Sequence, residues 1–199
     1  LQFAICFEDR SILEALKKGE IKESEVIIRG RESIQWVAQN WFVEDAYLKI
    51  NGNPVLLVFG PLALNNGKLK KAVETLDPIP TTFLLHHLVK AGGGDSSFAW
   101  PPVDGGKKVS EIEWKKSLQS IYDTGSKILN PIPVAFPGYR DFYRNAGIRE
   151  SYGSISDRDG QTWMDSLDQA LSQSSPIIQI ATWNDYGEGT VVEPTTNLG

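Results

Sequence analysis

Five short apolar runs, each followed by a helical or looped segment, predict an α/β fold built on parallel strands. Polar and aromatic residues cluster just past those runs, and neither a Gly-x-Gly-x-x-Gly nor a Gly-Lys-Ser/Thr loop is present. This favours a (β/α)8 barrel over an open nucleotide-binding sheet, because a barrel gathers the C-terminal end of every strand around one axis. Residues 1–199 are expected to be a single catalytic-type domain, the C-terminal part of such a barrel, with roughly its last five strand–helix units.

The first expected strand is Phe3 to Phe7, with Cys6 as a small buried side chain. Ser33 to Phe42 places Ile34, Val37, Ala38 and Trp41 at helical spacing. An Asn51-Gly52 turn introduces a second strand, Pro54 to Phe59, and a short helix covers Leu69 to Leu76. Thr81 to Leu85 is the third strand. The long glycine-rich stretch Ala91 to Lys108 reads as a lid loop bearing Phe98 and Trp100. Glu111 to Lys127 is the longest helix, with Ile112, Leu118, Ile121 and Tyr122 on its inner face. Pro133 to Phe136, a helix from Trp163 to Ser172, and a strand from Ile177 to Thr182 complete the series. Trp36, Trp41, Trp114 and Trp163 lie in helical patterns and are expected in the core.

Composition narrows the partners. A net charge of -5 disfavours nucleic acid and anionic membrane surfaces. No apolar run approaches membrane-spanning length, and the opening run Leu1 to Phe7 is shorter than a signal peptide is expected to be and lacks its basic flank. The single cysteine excludes an internal disulfide. Composition does not fix the oligomeric state.

Chemistry concentrates at the end of the last strand. Trp183, Asn184, Asp185, Tyr186, Gly187 and Glu188 follow the buried run, with two carboxylates three residues apart. Two glycines and Pro194 make this a loop rather than a helix. Carboxylates at a strand exit beside a Trp suit acid/base chemistry on a sugar, although such acids also satisfy backbone amides. Glu8 and Asp9, at the first strand's exit, are candidates to hydrogen-bond sugar hydroxyls or to pair with Arg10. His86 and His87, as neighbours on a strand, would point to opposite faces, so one lines the site and no zinc is held. Tyr139 and Arg140 follow the stiff Pro137-Gly138 turn and are expected as sugar contacts, Tyr139 alternatively as a structural hydroxyl. Trp100 is a candidate stacking platform or a lid-core residue, Trp183 the floor of the site, and Glu193 a residue that orients the loop. Neither metal nor organic cofactor is required.

Several of these segments resemble glycoside hydrolase family 99, the endo-α-1,2-mannosidase group, and more loosely the family 71 α-1,3-glucanases. Cys6 to Asp9 resembles its acid-terminated strand, and Asp45 to Phe59 the segment leading to its G-x-P-x-x-Y. Ser97 to Trp100 is similar to its Trp-bearing loop, and Val134 to Asp141 to its P-G-Y-x-D signature. Trp183 to Pro194 resembles N-E-W-x-E-G-T-x-I-E-P. The resemblance implies a (β/α)8 barrel, a carbohydrate substrate (α-mannan or α-glucan) and a secreted or periplasmic setting. It maps the catalytic carboxylates onto Asp185 and Glu188. The first would deprotonate the sugar's 2-hydroxyl to give a 1,2-anhydro intermediate, and the second would protonate the departing oxygen and then activate water. Asp185 stands where the family has Glu, Tyr186 where it has Trp, and Gly187 where mannosidases often carry His; Asn-Asp-Tyr-Gly-Glu is nearer family 71. The alternatives are a glycosyltransferase-associated domain of polysaccharide biosynthesis and a catalytically degenerate carbohydrate-binding barrel.

Overall fold

The computed structural model describes residues 2–123 and 129–196. The fold is mixed α/β with parallel strands, and the chain divides into two compact units. The first comprises residues 2–98 with 129; the second comprises 99–123 and 130–196.

In the first unit, β1 (Ile5–Phe7), β3 (Asn53–Val58), β4 (Thr81–Leu85) and β5 (Ser96–Phe98) form a parallel sheet in that order. The register sets Ile5 beside Leu56, Leu56 beside Thr82 and Leu84 beside Ser97. Val55, Leu56 and Val58 are fully buried, the near-continuous apolar run of a strand covered on both faces. A short β2 (Lys49–Ile50) pairs antiparallel with β3 through the Asn51-Gly52 turn, where both residues take the positive φ of a tight hairpin. Helices α1 (Arg10–Lys17), α2 (Val26–Val37), α3 (Lys68–Val73) and the one-turn α4 (Val89–Gly92) complete the unit. Val26, Ile34, Leu56, Val58, Leu64, Ala72 and Leu84 form its core.

Several expectations change here. Cys6 is exposed: strand side chains alternate, and Ile5 and Phe7 take the inward positions. Trp36 is 57% exposed, since α2 turns Val26, Gly30, Ile34 and Val37 inward and leaves Trp36 on the outer face. Trp41 lies in the π-helical turn Ala38–Phe42, also exposed, with its edge against Phe3 at 5.8 Å between ring centres. The stretch from Ala91 to Lys108 is not one loop. It contains β5, whose Phe98 is buried against Phe59, and ends in β6 (Lys107–Lys108).

The second unit holds β6, α5 (Glu111–Asp123), β7 (Val134–Ala135), β8 (Tyr139–Arg140), β9 (Gly153–Ile155), α6 (Gln161–Leu171) and β10 (Gln179–Ile180). β7 and β10 are parallel; β9 runs parallel to β6 and antiparallel to β8. Trp114, Leu118, Val134, Phe136, Tyr139, Ile155 and Ala181 form the core, with Trp114 edge-on to Phe136 at 5.4 Å. The inner face of α5 is Trp114, Leu118 and Tyr122, so Ile112, expected inside, is 80% exposed. The expected end of that helix, 124–127, lies outside the described residues. Trp163 is half-buried on α6. The Ser166 hydroxyl ties α6 to the strand end by bonding both the amide and the carbonyl of Phe136 at 3.0 Å.

Candidate active site

The loop after β10 is anchored at its own base. Ala181 continues the pairing with β7 by donating its amide to the Ala135 carbonyl at 3.0 Å. Thr182 then donates its amide to the Thr190 carbonyl at 2.7 Å, while its hydroxyl meets the Thr190 hydroxyl at 3.1 Å. The same Thr182 oxygen accepts the Asp185 amide at 2.9 Å. Asp185 Oδ1 in turn accepts the Glu188 amide at 3.0 Å. The carboxylates are thus coupled through the backbone, as a side chain closing its own turn.

Residues 140–142 run along this loop. The Arg140 amide donates to the Glu188 carbonyl at 2.8 Å and the Phe142 amide to the Gly187 carbonyl at 2.9 Å. This brings Tyr139, buried at the start of β8, close enough to the Glu188 side chain for that charge to act on its phenol. A Cβ on Gly187 would lie 2.6 Å from the Tyr143 ring, so Tyr143 fills the space a side chain there would need.

Two further residues complete the cluster. Arg149 donates from Nη2 to Glu188 Oε1 at 3.1 Å and from Nη1 to Asp141 Oδ2. The Asp141 side chain is wholly buried and also accepts the amides of Tyr152 at 2.8 Å and Tyr143 at 3.0 Å. In the sequence Asp141 is visible only as the end of the Val134 to Asp141 segment, and nothing there marks Arg149.

Burial raises the Glu188 carboxyl above its ordinary range. Asp185 and Asp141 push the same way, against the Tyr139 hydroxyl and Arg149. Burial, then the Glu188 charge, raises the Tyr139 phenol, which stays a neutral donor. Burial works against the Asp141 charge, but the Tyr152 amide, Arg149 and the Tyr143 amide outweigh it and hold this carboxyl below its usual value. A carboxyl kept above its ordinary range beside a second carboxylate is suited to exchange a proton with a bound hydroxyl or glycosidic oxygen.

The other candidates in this unit sit around the cluster in different ways. Trp183 is 60% exposed. Asn184 is exposed, and the Tyr186 hydroxyl donates to Glu193 at 2.7 Å. Arg140 stacks on Phe142, and Trp100 packs onto the unit's core. In the first unit, Glu8 pairs with Arg10 at 2.8 Å on the surface. Asp9 is 0% exposed and accepts the amides of Leu62 and Leu64, so it has no surface to offer a sugar. His86 and His87 lie in a one-turn 3-10 helix after β4, not on the strand, with rings 5.0 Å apart and edge to face. Helical rather than extended backbone is why they do not point to opposite faces. Among the described residues no group of three His, Cys, Asp or Glu is placed to hold a metal, and no helix is long and apolar enough to cross a membrane.

The fold is that of glycoside hydrolases in the solved structures it matches. The endo-α-mannosidase of glycoside hydrolase family 99 from Bacteroides thetaiotaomicron, in complex with Bis-Tris-propane, superposes with a TM-score of 0.60 at 17% identity. That match covers 82% of this chain and 54% of that one. A second structure of the same enzyme gives 0.58 at 18% identity, over 82% and 51%. A protein described as glycoside hydrolase-like gives 0.56 at 12% identity, over 84% and 54%. The chain thus spans about half the length of the structures it matches. At these identities the matches speak to the fold. No family model and no curated protein matches the sequence.

Proposed function

We propose that the chain is the C-terminal part of a (β/α)8-barrel glycoside hydrolase cleaving α-linked polysaccharide or oligosaccharide, with Asp185 and Glu188 as its catalytic carboxylates. The observation that carries this reading is the Glu188 carboxyl, held above its ordinary range in the turn that Asp185 closes. Glu188 acts as the acid that protonates the departing oxygen and then as the base that activates water. Asp185 serves as the base toward a neighbouring sugar hydroxyl, and Arg149 holds Glu188 in place by its guanidinium. The parallel strands of the first unit and the likeness to family 99 structures support the barrel.

The test is reducing-end release from α-mannans and α-1,3-glucans by the protein carrying this chain. Loss of about 10²–10⁴-fold is expected in Glu188→Gln and in Asp185→Asn, with circular dichroism unchanged. Release that survives Glu188→Gln would sink the assignment. A second reading, carbohydrate binding without turnover, is favoured by the contacts that already occupy both carboxylates: Arg149 on Glu188 and the Glu188 amide on Asp185. Oligosaccharide bound but not cleaved would select it.

A further inference from the structure

Glu188 touches a guanidinium, yet its carboxyl stays above the ordinary range. A cation 3.1 Å away, acting alone, would push a carboxyl down. Burial is the largest part of the answer, the neighbouring Asp185 charge adds to it, and the far side of Arg149 supplies a further part. Its other terminal nitrogen is held by Asp141, itself fixed by the amides of Tyr143 and Tyr152. The guanidinium lies 3.7 Å from the ring centre of Tyr152 and 4.6 Å from that of Tyr143, which confines it further. One positive charge is therefore divided between two carboxylates, with Asp185 as a third anion close by. Tyr139 faces Glu188 with a neutral hydroxyl, and Arg140 offers its amide while its guanidinium lies over Phe142.

We propose that Asp141, by holding Arg149, is the positioning residue that keeps Glu188 able to carry a proton. Its value for catalysis rests on the reading of Glu188 as acid and base, but the charge arrangement is testable without turnover. Removing the Asp141 charge lets Arg149 pair fully with Glu188 and deletes a repelling anion; both changes favour ionised Glu188. Removing the Arg149 charge acts in the opposite sense. A pair that merely props the loop would not give opposite responses.

The experiment is a carboxyl-carbon NMR titration of the full chain labelled at glutamate, with the Glu188 signal assigned by its loss in Glu188→Gln. Asp141→Asn should move the Glu188 midpoint down by about one pH unit and Arg149→Met up by about one, the size a single adjacent charge imposes. Arg149→Lys, which keeps the charge, should stay nearer the parent than Arg149→Met. Midpoints that stay put, or that move the same way in Asp141→Asn and Arg149→Met, overturn the proposal. Should Asp141→Asn fail to fold, the other two variants decide: equal midpoints in Arg149→Lys and Arg149→Met refute it. If polymer cleavage survives Glu188→Gln while the midpoints shift as described, the hydrolytic role fails and this proposal stands. In an active enzyme, the limb of the kcat/KM profile set by Glu188 should follow the same shifts.

Discussion

Replacing Asp9 asks whether an acid at a strand exit serves a ligand or the fold. Its carboxylate accepts the Leu62 amide at 2.9 and 3.1 Å through its two oxygens, and the Leu64 amide at 2.7 Å. It thereby pins the segment after β3 to the end of β1. Each amide stripped of its acceptor costs about 1–3 kcal/mol, so Asp9→Ala should cost about 2–6 kcal/mol. That is a large share of the roughly 5–15 kcal/mol typical of a folded domain. Asp9→Asn keeps one acceptor but turns an NH2 toward the Leu62 amide, and should cost about 1–3 kcal/mol. Because two units need not unfold together, the assay is amide hydrogen exchange read at Leu62 and Leu64, alongside urea unfolding. Both amides should lose protection in Asp9→Ala before those of Leu56 and Leu84. Unchanged protection, combined with weakened oligosaccharide binding, would refute the reasoning and return Asp9 to the ligand.

The remaining predictions concern the loop and pH. Gly187→Ala should displace the loop or Tyr143, lowering activity or ligand binding more than stability, and Tyr143→Ala should partly restore it; no restoration in the double variant would exclude the steric cause. Asp141 titrates below its ordinary value, so its contribution to stability is present above about pH 4 and lost as pH falls through the folded value. Asp141→Asn should therefore flatten the acid arm of the stability curve. Glu188 is shifted the other way: its stabilising contribution is present at low pH and lost as pH rises through the folded value, so Glu188→Gln should raise the melting temperature at pH 7. Burial, then the nearby His87, lowers His86 from 6.5 to about 4, and its Nδ1 is buried without a hydrogen-bond partner among the described residues. This stability is full above pH 6.5 and falls as pH drops toward 4. It amounts to at most about 3 kcal/mol before solvent screening. An acid arm identical in His86→Phe would contradict this.

Strands with a strong apolar run were legible from residue types alone: Asn53–Val58 and Thr81–Leu85 fall within a residue of where their pattern put them. β5 was not, because Ser-Ser-Phe carries one large apolar residue in a glycine-rich setting and pairs only because β4 lies beside it. Helical spacing identified α5 and the end of α2 with much of their inner faces: Ile34, Val37, Leu118 and Tyr122 are buried, and so is Trp114, while Ile112, Trp36 and Trp41, which share the same patterns, stay exposed. The site divides along the same line. Asp185 and Glu188 were visible because they share one short loop at a strand exit. Arg149 joins them from 39 residues away, and only the fold brings that pair together.

Because Thr182 and Thr190 fasten the last loop to itself, the seven residues between them form an insert whose base the two threonines close. Identity at positions 183, 184 and 186 can be exchanged while the strand and its neighbours keep their bonding, provided position 185 retains an acceptor for the amide three residues on and positions 187 and 189 stay glycine. A library confined to those positions would sample new chemistries on an undisturbed frame, with the two threonines as the boundaries of the graft.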